Sequence, residues 1–208
     1  MIKFDYLHLV LYSSSMTKKS KPSNRDIVIR IATGLFLEKG YPMTSMDEIV
    51  AASKVSKTNI YYHFKSKEEL LSAIVTQMID RYEQVIAEIA GQSQLAVAER
   101  LRRFASLLAD QGPDSLGGCP FLTLYVQTNR ESRFVREEIS HFFHNQIATI
   151  ERLLHEGIAR GEFSSELPVS QIAVMIVSMI EGGLFLQHTQ QDETLLPRVL
   201  HALAFLLK

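Results

Sequence analysis

"VSKTNIYYHFKSKEEL", residues 55–70, decides how this chain is read. The run sets three lysines, two adjacent tyrosines, a histidine and an asparagine where a soluble chain ordinarily builds core. Ile60 and Phe64 are four apart, so on a helix they share one face and can bury together. The lines Lys57–Tyr61, Thr58–Tyr62 and Asn59–His63 must then point outward. Adjacent exposed tyrosines call for something to cover them. Their hydroxyls, with Lys57 and Lys67, can reach phosphate oxygens. Thr58 and Asn59, at the start of the helix, can reach base edges. Taken singly, each of these residues also reads as packing or as a solvated face. The whole run reads as the second helix of a helix-turn-helix, with "SKV" as its turn and the preceding short helix as its support.

The charge distribution agrees with that reading. From Met16 to Lys67 there are ten Lys/Arg against four Asp/Glu, a net +6, whereas the rest of the chain from Glu68 carries −7. The near-neutral total of −1 hides a basic head on an acidic body, and only the head suits a polyanion.

Working outward, helical periodicity is nearly continuous and strand signals are almost absent, which predicts an all-α fold. Ser23 with Asp26 forms a capping box for a first helix burying Ile27, Ile31, Leu35 and Phe36 and stopping at Gly40. Thr44 with Asp47 caps a short second helix. Ser56 caps a third, and Ser66 with Glu69 caps a long fourth with Leu70, Ile74, Met78, Tyr82, Val85 and Ile89 on its apolar line. Gly91 breaks that helix. Further helices are expected over about 95–108, in "FLTLYVQTN", over about 132–160, from Pro168 to His188 and over about 193–207, with a loop at "DQGPDSLGGCP". The domain reading is a tail over 1–21, disordered or arising from a start assigned too early, a helix-turn-helix domain over 22–67 and a helical body over 68–208.

The run from "GLFLEKGYPMTSMDEIVAASKVS" through "KTNIYYHFKSKEELL" resembles the TetR family of transcriptional regulators, over about residues 25–75. The resemblance implies an all-α homodimer: an N-terminal three-helix reading domain joined by a long connecting helix to a C-terminal ligand-binding and dimerisation domain. Carried over to matching positions, it implies DNA contacts from Thr44, Lys57, Thr58, Asn59, Tyr61, Tyr62, His63 and Lys67. It also implies that the last two helices, about 170–207, form the homodimer interface, which would set two reading helices about 34–36 Å apart on a palindromic operator. Two positions depart from the family's habit. Lys54 stands in the turn and Thr58 in the reading helix where relatives often have glycine. Lys54 would carry roughly 1 kcal/mol of strain if the turn is left-handed there.

A ligand pocket is expected between the connecting and middle helices, with Phe104, Leu108, Cys119, Phe121, Tyr125, Phe142, Phe143, Met175 and Met179 as its candidate lining, although an aromatic and Met stripe at helical spacing is more often plain core. The expected occupant is a small apolar or electrophilic molecule, whose binding pivots the connecting helix. Cys119, in "GGCPF", reads either as a small buried hydrophobe or as an electrophile or redox sensor, since some relatives place a sensing cysteine in this region.

Other classes find little support. Cys119 is the only cysteine, so no intrachain disulfide can form, which fits a reducing cytoplasm. No apolar run is expected to reach the length of a membrane span, since Gln171, Ser178, Glu181 and two glycines break the longest apolar-rich segment. His141 and His144 lie three apart with Glu138 before them, too small a set for a metal site. No phosphate loop, nucleophile elbow or zinc-protease motif occurs, so neither an enzyme nor a cofactor is expected. The alternative to a ligand-releasable repressor is a DNA-bound protein whose body recruits a protein partner.

Overall fold

The computed structural model describes residues 22–109, 118–128 and 132–206, without the side chains of Leu108, Ala109, Ala204 and Leu206. The expectations for residues 1–21 and for most of the glycine-rich loop lie outside this range. Nine α-helices are described: α1 Asn24–Leu35, α2 Met46–Ser53, α3 Lys57–His63, α4 Lys67–Ala90, α5 Val97–Ala109, α6 Pro120–Gln127, α7 Arg133–Ala159, α8 Val169–Gln190 and α9 Leu195–Leu206. A single π turn, Phe36–Gly40, continues α1. The all-α expectation is met, with no strand among the described residues.

The described residues form two compact units. The first holds 22–81 with those of Pro120–Ile139; the second holds 82–109, Gly118, Cys119 and those from Ser140 onward. The boundary falls within α4 and within α7.

In the first unit, Ser23 and Asp26 make the expected reciprocal box. The Ser23 hydroxyl accepts from Asp26 N at 3.2 Å, and Asp26 Oδ2 accepts from Ser23 N at 3.1 Å. The buried side of α1 is Val28, Ile29, Ala32 and Thr33, continued by Phe36 and Leu37. The expected line Ile27–Ile31–Leu35 is rotated off it and only half-buried, while Phe36 is buried as expected. Both lines have i,i+4 spacing. Packing of α1 against α2 and α3 selects the one whose small members, Ala32 and Thr33, allow close approach. The π turn closes at Gly40, whose φ of 103° suits a residue without Cβ. Its end is held from α6, where Gln127 Oε1 accepts the Tyr41 backbone N–H at 2.7 Å.

The Ser66 cap is present but only half as expected. Ser66 Oγ accepts from Glu69 N at 3.1 Å, while Glu69 Oε2 accepts from Lys65 N, not from Ser66 N, at 2.6 Å. The α4 core line is Leu70, Leu71, Ile74, Val75, Met78, Ile79, Tyr82 and Ile86. Val85 and Ile89 are at its edge.

In the second unit α9 packs along α8, and both pack with α5. A Cβ on Gly183 would meet Leu196 Cδ1 at 2.8 Å, so that glycine permits the α8–α9 approach. Arg100 is buried on α5 and forks onto the Ala90 carbonyl (2.7 Å) and the Glu156 carboxylate, with Nη1 to Oε2 at 3.0 Å. That pairing holds the Glu156 carboxyl below its usual range. By length and composition alone, α8 is apolar enough to cross a membrane, which corrects the expectation that no run reaches that size.

Candidate nucleic-acid interface

The interface is built on α2, a turn and α3. The cap of α2 is Ser45, whose hydroxyl accepts from Glu48 N at 3.2 Å. The expected Thr44–Asp47 cap is therefore displaced by one residue. Thr44 is 1% exposed and its hydroxyl donates to the Gly40 carbonyl at 2.9 Å. With two adjacent hydroxyl residues the local chemistry suits either, and burial of Thr44 leaves the cap to Ser45.

The second helix ends at Lys54, which has φ 57° and ψ 18°. The left-handed turn expected from the family's glycine habit is thus made here by a lysine, with the strain that a Cβ brings. Ser53 Oγ accepts from Val55 N at 3.3 Å and steadies the turn. Ser56 then caps α3, accepting from Asn59 N at 3.4 Å.

Ile60 and Phe64 are buried and fix the rotation of α3. Its other faces follow. Tyr62 is 74% exposed, Lys57 and Thr58 are exposed, and Asn59, Tyr61 and His63 are half-buried. The Tyr62 and His63 rings meet edge to face at 5.1 Å. Asn59 Oδ1 is buried without a bonding partner. Lys57 Nζ lies 2.7 Å from Asp47 Oδ1 on α2 and 6.0 Å from the Tyr61 ring centroid. The Asp47 carboxylate raises the Lys57 pKa and competes for the charge that a phosphate would use.

Lys67 has an internal job. Its ammonium donates to the Tyr41 and Thr44 carbonyls, both at 2.9 Å, and sits 4.3 Å from the Tyr41 ring centroid. Desolvation lowers its pKa. The Tyr41 hydroxyl is pushed up by burial and by the nearby Glu68 charge. Two cations that the sequence reading left unassigned join the surface. Lys65 Nζ donates to the Tyr61 carbonyl at 3.2 Å, at the end of α3, and Arg25 lies 5.6 Å from the Phe64 ring centroid. Lys65 stood inside the quoted run and could have been found there. Arg25 is thirty-nine positions before Phe64 and carries no local signal.

The candidate pocket residues are dispersed. Phe121 and Tyr125 fall in the first unit, Tyr125 half-buried with the Arg136 guanidinium 3.9 Å from its ring centroid. Phe104, Cys119, Phe142, Phe143, Met175 and Met179 fall in the second unit. Phe104, Cys119 and Phe142 are fully buried there, and the other three are half-buried. The Leu108 side chain lies outside the described residues. Cys119 is close to Glu181, whose carboxyl is pushed up by burial, an effect the thiol partly offsets. Of these candidates only Phe142 borders the groove of about 290 Å³ that runs between α4 and α7 within the second unit. Its remaining lining comes from residues the sequence reading passed over, among them Ile86, Gln146, Thr149 and Arg152. Among the described residues, no group of three or more His, Cys, Asp or Glu is gathered for a metal.

A short supporting helix, a tight turn and a second helix anchored by two apolar residues define a helix-turn-helix DNA-binding protein. Comparison with known proteins gives the family. Residues 28–74 match the family model "Bacterial regulatory proteins, tetR family", and residues 97–203 match "Tetracyclin repressor-like, C-terminal domain". The chain belongs to the TetR family and is a transcriptional regulator, not an enzyme. Among curated relatives, the HTH-type transcriptional regulator LmrA of Bacillus subtilis is 28% identical over 89% of this chain and 97% of its own. The HTH-type transcriptional repressor DhaR of a Mycobacterium species is 22% identical over 77% of this chain and 80% of its own. A TetR transcriptional regulator from Legionella pneumophila has a solved structure with a TM-score of 0.73 and 24% identity, covering 94% of this chain and all of that one. Regulators of this family bind DNA and act as dimers.

Proposed function

We propose that this protein is a dimeric repressor that holds a palindromic operator through α3 and releases it when a small molecule enters the second unit. The observation that carries the reading is the outward Tyr62, in line with Thr58 and flanked by Lys57, Lys65 and His63 on a helix anchored from behind by Ile60 and Phe64. Lys57, Tyr61, Tyr62 and His63 would meet phosphates, and Thr58 and Asn59 would meet base edges. Lys67 and Thr44 would act by setting the approach of α2 and α3, since their polar groups are engaged internally. On this reading residues 22–67 read DNA, residues 68–208 sense and pair, and the protein works in the cytoplasm.

Pairing through α8 and α9 is supported by the apolar groups those helices leave outward. Val174, Phe185 and Leu186 on α8 and Phe205 on α9 are all exposed, Phe205 by 75%. A Cβ on Gly182 would meet nothing within 4 Å, so a second backbone could come close there. The alternative, a body that recruits a protein partner, draws on Val126 and Phe134, which are exposed outside those two helices.

Selection of bound sequences from random DNA tests the reading, followed by a screen for compounds that release the selected duplex. A palindrome whose affinity falls steeply with salt is expected. Failure to enrich any palindrome would sink the repressor reading, and a palindrome that no compound releases would favour partner recruitment.

A further inference from the structure

We propose that the groove between α4 and α7 binds a compact, largely apolar molecule carrying a neutral planar donor–acceptor edge, such as a carboxamide or a lactam. The groove encloses about 290 Å³, near the lower end of small-molecule sites. Gln146 lines it, 2% exposed, and neither Oε1 nor Nε2 has a bonding partner among the described residues. Buried side-chain amides are almost always bonded, so a doubly unmet one lining a cavity marks a place for a partner.

The chemistry of that partner follows from the amide. Nε2 offers donors and Oε1 an acceptor, side by side in one plane. A carboxamide or lactam edge presents the complement and makes two parallel hydrogen bonds. A carboxylate accepts from Nε2 but has no proton for Oε1, and a simple ketone fails in the same way. The two charged residues of the lining, Glu83 and Arg152, are of opposite sign, and each holds a hydrogen bond to a neutral neighbour. Asn145 Nδ2 donates to Glu83 Oε1 at 2.8 Å, linking α7 to α4, and Arg152 Nη2 donates to Thr149 Oγ1 at 2.9 Å. The apolar wall is Ile86 and Phe142, the latter held edge to face by Tyr82 at 6.1 Å. A neutral edge on an apolar body fits this distribution better than an ion.

Only the effect of this site on DNA rests on the ligand-release reading; binding itself does not. The test uses the full-length protein with benzamide, hexanamide and ε-caprolactam, paired respectively with benzoate, hexanoate and cycloheptanone. Calorimetry gives affinities, and ¹H–¹⁵N spectra follow the Gln146 side-chain amide. At least one amide is expected to bind at least tenfold tighter than its counterpart and to shift the Gln146 resonances. Gln146→Leu is expected to weaken that binding at least tenfold while keeping its helical content. Should Gln146→Leu fail to fold, Gln146→Met, which keeps the length of the side chain and removes both the donor and the acceptor, is expected to lose the preference for amides. Equal binding of amides and counterparts, no binding of any, or unchanged affinity in the variant overturns the proposal. An amide that binds through Gln146 without loosening DNA leaves this site standing and sinks the release reading. An amide that frees DNA and binds equally well to wild type and Gln146→Leu does the reverse.

Discussion

The ammonium of Lys67 stands 4.3 Å from the Tyr41 ring centroid and donates to the carbonyl of the same residue at 2.9 Å. With its second bond, to the Thr44 carbonyl, it ties the start of α4 to the segment that leads into α2. Lys67→Met leaves two carbonyls without that donor and is expected to cost about 1–2 kcal/mol of stability. Lys67→Arg should restore part of the loss. Urea unfolding monitored by helical circular dichroism checks both, and a Met variant as stable as wild type would deny the clip any role.

The left-handed Lys54 makes the opposite prediction. Lys54→Gly should stabilise the protein by roughly 1 kcal/mol, because the native φ of 57° then carries no Cβ penalty. Lys54→Val should destabilise it. The unfolding midpoint should move without a change in slope.

Asp47 sits 2.7 Å from Lys57 and draws on its charge. On the proposed reading, Asp47→Asn should tighten DNA binding severalfold at moderate salt. Lys57→Ala should weaken it and flatten the logarithmic salt dependence by about one. Filter binding or fluorescence anisotropy across a salt series measures both slopes. An unchanged slope in Lys57→Ala would remove that lysine from the phosphate contacts.

Glu181 gives a pH prediction. A carboxyl held above its usual range by burial binds its proton more tightly in the folded chain than in the unfolded one. Its contribution to stability is therefore fully present below the unfolded pKa and is lost as pH rises through the folded one. The melting temperature of wild type should fall relative to Glu181→Gln as pH rises above the ordinary glutamate pKa of about 4.3. The difference between the two proteins is the informative quantity, because Glu99, Glu156 and Asp192 are shifted downward and titrate with the opposite sign.

Gly182 and Gly183 should part company. Any Cβ on Gly183 collides with Leu196, so Gly183→Val is expected to cost about 1–3 kcal/mol through overpacking between α8 and α9. Gly182→Arg points into open space and should leave helical content intact. If α8 and α9 pair copies of the chain, Gly182→Arg should shift sedimentation toward monomer. A stable dimer in that variant would locate the interface elsewhere.

The helices were legible because caps and apolar spacing are local properties. Ser23, Ser56 and Ser66 sit within three residues of the amides they bind. Discrimination between neighbours was not legible. Thr44 and Ser45 are equally good caps, and Ile27 and Val28 open equally regular apolar lines, so tertiary packing made both choices. The Lys67 bonds reach carbonyls 23 and 26 residues away, and a carbonyl has no sequence signature. The groove was missed for a related reason. An aromatic and methionine stripe was the signal sought, whereas the feature that distinguishes the groove is the bonding of Gln146, which depends on every neighbour.

Gln127 accepts the Tyr41 amide proton at 2.7 Å across 86 positions of chain, and α6 lies against the π turn that ends α1. A fragment trimmed after α4 for binding assays or crystallisation would strip that turn of its cover and orphan the amide. Engineers who graft this head onto another body must therefore bring Pro120–Ile139 with it, or redesign residues 36–41 to stand bare in water.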